Sequence, residues 1–185
     1  ISSGGGAIDI TGSGTASGVT SQDNVIESSG GAITVAGSGT ASGAVGVELA
    51  GTRLIAGSGA VDVTGTAASG EGVRFGTGST GPGGIATSTG AISVTGTGLN
   101  VGLDLTGADL DTMSGDLTLT GTALGASAIA GVLMYSGSLA TAGGDIAVIG
   151  TAAGGSGVLF GQRGAFSISS GGGDMLADKW NISGA

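Results

Sequence analysis

The sequence has no cysteine, no histidine, a single proline (Pro82) and five aromatic residues among 185. Without cysteine there is no disulfide framework and no thiolate metal site, and an oxidising exterior does the chain no harm. Without histidine the commonest general base and the commonest metal ligand are missing. One proline and irregular glycine spacing exclude a collagen helix. The few aromatics (Phe75, Phe160, Phe166, Tyr135, Trp180) imply a thin core built close to the backbone. Charge is scarce too: Lys+Arg 4 against Asp+Glu 13 gives a net −9. A nucleic-acid partner needs a basic footprint and an anionic membrane attracts one, so neither is expected. No apolar run approaches the roughly 18 residues that span a bilayer, so membrane insertion is not expected either. Neither an initiator methionine nor a signal-peptide pattern opens the chain, which reads as a mature product or an excised segment.

What the chain does have is 45 glycines, 39% hydrophobic residues and a mean hydropathy of +0.48. Such hydrophobicity with only 9% charged residues marks a chain that folds, not a disordered linker. Its apolar residues are mostly small or β-branched, and they recur in a repeated phrase. The phrase is "GAIDITG" from Gly6, "GAITVAG" from Gly31, "GAVDVTG" from Gly59, "GAISVTG" from Gly90, "GDLTLTG" from Gly115 and "GDIAVIG" from Gly144. The steps between these glycines are 25, 28, 31, 25 and 29 residues, so insertions fall in loops.

A second phrase follows each first one: Gly18-Val19, "GVELAG" from Gly46, "GVRFG" from Gly72, "GLDLTG" from Gly102, "GVLMY" from Gly131 and "GVLFG" from Gly157. A third apolar cluster completes each unit: Val25-Ile26, Leu54-Ile55, Ile85, Leu110 to Met113, Leu139 and Phe166 to Ile168. Period-two alternation places Ile8 and Ile10 on one face and Asp9 and Thr11 on the other, which is a half-buried strand. Three short strands joined by glycine, serine and threonine turns fill about 28 residues. Stacked coils then align Ile8, Ile33, Val61, Ile92, Leu117 and Ile146 into one interior ladder, as solenoid packing requires. The expected fold is all-β: a parallel β-helix (β-solenoid) of six to seven coils over residues 1–173, with a divergent segment 174–185 as a cap or an inter-subunit hook. A β-sandwich is the competing arrangement and needs antiparallel hairpins. Glycine is expected chiefly at corners that need positive φ.

The phrases "GGAITVAGSGTASG" and "GAVDVTGTAASGEGVRF" resemble the repeats of filamentous haemagglutinin-type and autotransporter-passenger β-helices, the secreted adhesins of Gram-negative bacteria. The resemblance is one of repeat style and covers nearly the whole chain. It implies the right-handed winding, a place outside the cell or at the bacterial cell surface, and roles in adhesion, matrix building or filament formation. It carries over no catalytic residue and no cofactor.

The second-strand column Thr20, Glu48, Arg74, Asp104, Leu133, Leu159 is expected to face outward. Its alternating Glu48, Arg74, Asp104 run reads as a solvated register ladder, since opposite charges on adjacent coils attract. Leu133 and Leu159, beside Tyr135, read as a contact surface if they are exposed, and Trp180 in the divergent segment as an inter-subunit contact. Asp109, Asp111 and Asp116 supply oxygen ligands suited to Ca²⁺, but their spacing matches no EF-hand, and a solvated acidic loop is preferred. Among the first-strand outward pairs only Thr118/Thr120 completes Thr-x-Thr, and Asp9 and Asp62 interrupt the face, so an ice-binding array is set aside.

Catalysis is not expected. Asp9 and Asp62 sit on non-adjacent coils with Thr34 between them, too poor a constellation for glycoside hydrolysis. The four basic residues (Arg53, Arg74, Arg163, Lys179) are scattered, which disfavours lyase chemistry. "GTGSTGPGG" from Gly76 lacks the lysine and helix of a phosphate loop. The opening "ISSGGG" recurs at Ile168 to Gly173, so the first residues read as the close of a coil. The expected function is a structural or adhesive extracellular solenoid that self-associates end to end or within a longer chain, with a host surface or polysaccharide as partner. The alternative is a β-helical carbohydrate-binding or carbohydrate-cleaving module.

Overall fold

The computed structural model describes residues 1–79, 81–161, 165–178 and 180–182. They form three parallel sheets of seven strands each, wound as a β-solenoid of about six turns with no helix among the described residues. Sheet I holds the first phrase, from Ile8–Gly14 through Ile33–Gly39, Val61–Ala67, Ile92–Gly98, Leu117–Ala123 and Ile146–Ala152 to Met175–Asp178. Sheet II holds the second, from Ser17–Gln22 through Val45–Ala50, Glu71–Gly78, Val101–Asp104, Ala130–Met134 and Ser156–Phe160 to Trp180–Ile182. Sheet III holds the third cluster, from Ser2–Ser3 through Val25–Ser28, Arg53–Ile55, Gly81–Thr87, Ala108–Thr112 and Gly137–Thr141 to Phe166–Ser170. Three strands per coil and a spacing of about 28 residues are therefore features of the fold.

The register follows the apolar pattern, because a slip of one residue would turn every interior side chain outward. Ile8, Ile33, Val61, Ile92, Leu117 and Ile146 pair in sequence and are all buried. Val47, Val73, Leu103, Val132 and Val158 form the matching column of sheet II, and Leu54, Ile85, Leu110 and Leu139 that of sheet III. All of these residues belong to one apolar cluster. The pairing continues past residue 173: Ile146 to Ile149 pair with Met175 to Asp178, and Val158 to Phe160 with Trp180 to Ile182. The longest coil, with the step of 31 residues, contains one local antiparallel contact, Gly78 with Gly81 and Thr77 with Pro82.

Most glycines serve a different purpose from the one expected. Positive φ occurs at only seven described glycines, among them Gly57 (φ 53) and Gly107 (φ 75). The larger group forms ladders where two backbones meet. Gly12, Gly37, Gly65, Gly96, Gly121 and Gly150 pair rung to rung in the middle of sheet I. They face the second-phrase glycines of sheet II: a Cβ on Gly37 would lie 2.1 Å from the carbonyl oxygen of Gly46, and one on Gly46 would lie 2.3 Å from the amide nitrogen of Thr66. No side chain fits there. The solenoid is consequently pinched to a double layer of backbone along this seam, and the apolar columns form one cluster to the side of it.

A second device closes the corner between sheets III and I. Ser28, Thr112 and Thr141 are buried hydroxyls three residues before a glycine, and each accepts a hydrogen bond from that glycine's amide: Gly31 N to Ser28 (2.9 Å), Gly115 N to Thr112 (3.0 Å) and Gly144 N to Thr141 (2.7 Å). The hydroxyls in turn donate to glycine carbonyls, as Thr87 does to Gly90 (2.6 Å) and Ser170 to Gly173 (2.6 Å). Buried backbone groups that the ladders leave unpaired are thereby satisfied. Ala56, aligned with this column by the pairing of Ile55 with Ala86, is the one rung without a hydroxyl between Ser28 and Ser170.

Candidate functional site

Three outer faces present distinct chemistry. The face of sheet II carries the charged column, paired in the expected order from Thr20 through Glu48, Arg74, Asp104 and Leu133 to Leu159. Arg74 Nη2 donates to Glu48 Oε1 at 2.5 Å, and its Nη1 stands 3.3 Å from Glu71 Oε2. That second contact is an ion pair without hydrogen-bond alignment, because Glu71 Oε2 is buried with no hydrogen-bond partner. Burial pushes the Glu71 carboxyl above its usual 4.5, against the pull of Arg74 and with the help of Asp104 and Glu48. Asp104, next in the column, accepts the backbone N–H of Thr106 at 2.9 Å. Its carboxyl also rises above the usual 3.8, chiefly through burial, with the Thr106 bonds and Arg74 opposing. For Arg74 itself burial acts to lower the pKa, but the bond to Glu48 and the surrounding carboxylates outweigh it, and the guanidinium stays charged. The expected three-residue ladder is thus a four-residue network, and Glu71 was missed because it opens its strand instead of standing in the outward column.

Leu133 does not form an exposed contact. It points away from the interior, since its neighbours Val132 and Met134 lie in the main core, yet it is only 5% exposed. It packs with Val101 and Ala130 in a small outer cluster against which Tyr135 and Leu159 lie partly buried. The expectation of two stacked exposed leucines is corrected accordingly, and the accessible part of this patch is Tyr135 and Leu159. Trp180 pairs opposite Val158 at the far end of the same sheet.

The face of sheet III holds a notch of about 500 Å³. Its floor is Gly84 and Ala86, its walls Arg53 on one side and Asp109 and Asp111 on the other, because Gly84 pairs with both Arg53 and Asp109. Ser138 donates to Asp109 Oδ1 at 2.7 Å and fixes that carboxylate. Asp116 is not part of this group. It lies past the corner at the start of sheet I, where its Oδ1 accepts the amide of Asp145 (3.0 Å), just as Asp145 accepts that of Asp174 (2.7 Å). The three carboxylates considered for Ca²⁺ therefore do not converge, and among the described residues no group of three acidic side chains is placed to hold a metal.

The face of sheet I is neutral over most of its area. Its outward residues form three columns, of which the sequence reading considered two. The third is Ser13, Ser38, Thr66, Thr97, Thr122 and Thr151, paired one to one. In that frame "TGT" occurs at Thr64 to Thr66, Thr95 to Thr97 and Thr120 to Thr122 on three consecutive coils, so the Thr-x-Thr unit is more frequent than expected. The signal was present in the sequence as the glycine of the seam flanked by hydroxyls. In comparisons with protein-family models, curated proteins and solved structures, nothing matches this chain.

Proposed function

We propose that this chain is a structural and adhesive element of an extracellular or bacterial cell-surface fibre, a stiff stack whose outer faces make the contacts. One observation carries the reading: interior columns, glycine seam and corner hydroxyls keep the same residue class at the same register through consecutive coils, while the three outer faces differ in chemistry. Such a body holds surface groups at fixed spacing along an axis, which suits multivalent contact with an extended partner. End-to-end self-association or continuation within a longer fibre belongs to this reading, since Ile168 to Gly173 repeats Ile1 to Gly6 residue for residue. The resemblance in repeat style to surface adhesins supports it.

The test is adsorption of the purified chain to surfaces coated with bacterial polysaccharides or host matrix proteins, with electron microscopy of the same material. Rods or filaments that adsorb multivalently are expected. Absence of adsorption together with turnover of a polysaccharide would replace this reading with the second one, a carbohydrate-active module. The sheet III notch favours that alternative, because the guanidinium of Arg53 and the carboxylates of Asp109 and Asp111 can share hydrogen bonds with vicinal hydroxyls of a sugar.

A further inference from the structure

We infer that the sheet I face is an ice-binding surface, a function beyond the adhesive reading and independent of it. Two of the outward columns stand nearest the sheet II side of each strand. Over the six coils from Ile8–Gly14 to Ile146–Ala152 they comprise twelve positions, of which ten carry hydroxyls and none carries a charge. The exceptions are Ala36 and Ile149. The carboxylates Asp9 and Asp62 belong to the remaining column, at the border of the face, and do not interrupt the array.

Neutrality selects against ionic partners. Geometry goes further. The strands of this face pair residue for residue over six or seven positions without a bulge, so the hydroxyls form a two-dimensional lattice. Its repeat is about 4.8 Å from coil to coil and about 6.6 Å between alternate residues on one strand. That mesh is close to the spacing of oxygen atoms on the prism planes of ice, whereas a protein partner has no such periodicity.

Two further observations support a solid water surface as the occupant. Of the hydroxyls in these columns only Thr64 has a protein partner, Asp62 at 3.4 Å, so the others, Thr95, Thr97, Thr120 and Thr122 among them, direct their hydrogen bonds to solvent. A shallow trough also runs between the columns along Thr11, Ser13, Ala36, Ser38 and Thr64, with room for ordered water between ranks of methyl and hydroxyl groups. The threonine side chains are stiff at χ1, and the glycine seam beneath them packs the supporting backbone directly on sheet II. An array held this way keeps its spacing and needs little ordering when it meets a lattice.

The experiment measures thermal hysteresis, ice-crystal shaping and inhibition of ice recrystallisation with the full chain. The wild-type chain is expected to shape ice crystals and inhibit recrystallisation. T97K and T120K, which place a long charged side chain in the middle of the lattice, are expected to lose both effects, while S167K on the exposed face of sheet III keeps them. Circular dichroism and the unfolding midpoint establish that each variant is folded, and T97V with T122V provides a milder pair that keeps the methyl rank. Failure of the wild-type chain to affect ice up to its solubility limit overturns the inference, as does activity in T97K equal to that of S167K. Adsorption to microcrystalline cellulose without any effect on ice overturns it as well and reassigns the face to a neutral polysaccharide.

Discussion

A Cβ placed on Gly96 would lie 2.1 Å from the carbonyl oxygen of Gly102, so these two residues hold sheets I and II in backbone contact at the middle of the stack. Neither partner is a flexible side chain that could yield. Gly96→Ala is therefore expected to destabilise the fold by about 3 kcal/mol, the upper part of the range for overpacking a filled interior. Gly76→Ala, with nothing within 4 Å of the new Cβ, is the control and is expected to change stability by less than about 1 kcal/mol. Urea unfolding of both variants measures the difference.

The corner hydroxyls supply a second prediction. Thr112→Val leaves the amide of Gly115 buried without its acceptor and is expected to cost about 1 to 3 kcal/mol. Ala56→Ser adds a buried hydroxyl at the one rung where the glycine amide, that of Gly59, already donates to a backbone carbonyl (Ala56 O, 2.8 Å), and is expected to change stability by less than about 1 kcal/mol. A much larger fall of the thermal midpoint in Thr112→Val than in Ala56→Ser would confirm the ladder; equal shifts would refute it.

Arg74 is the single cation among Glu48, Glu71 and Asp104. Removing it in Arg74→Ala leaves three carboxylates facing one another, with an expected loss of about 1 to 2 kcal/mol for a pair that is partly exposed. The same network makes stability depend on pH. Glu71 and Asp104 have folded-state pKa values raised above their ordinary 4.5 and 3.8, so between the two sets of values the folded chain binds more protons than the unfolded one. This contribution is fully present below the ordinary values and is lost as pH rises through the raised ones. Glu71→Gln and Asp104→Asn are expected to flatten that rise in stability on mild acidification, measured by denaturant titration across the window.

The outer apolar patch separates packing from contact. Leu133→Ala is expected to cost about 2 kcal/mol, the low end for a buried leucine, because it empties the small cluster with Val101 and Ala130. Tyr135→Ser and Leu159→Ser should affect stability less and lower association with whatever the patch touches. Unfolding curves and sedimentation of the same variants distinguish the two effects.

The coil period and the interior register were legible in the sequence because alternation at Ile8, Ile10 and their equivalents is strict, and a parallel stack copies it from coil to coil. The outward column from Thr20 to Leu159 was legible for the same reason. What the sequence concealed were relations between sheets. That Gly37 opposes Gly46 depends on how two strands of one coil face each other, which no period along the chain reports. The burial of Leu133 had the same cause, since alternation gives the direction of a side chain and not what covers it. The third hydroxyl column was hidden more simply: the apolar pattern ends at Ile10 and Val63, whereas the strands run on to Gly14 and Ala67.

Each corner hydroxyl and each seam glycine addresses only its own coil and the adjacent ones, so neither device refers to a position counted from either end. Length is then a free variable. Recombination that duplicates or deletes one whole coil preserves the seam and the corner ladder and changes the molecule's reach in steps of a single strand spacing, whereas a cut elsewhere misaligns all three sheets at once. A body of this kind works as a ruler whose graduations can be added without redesign.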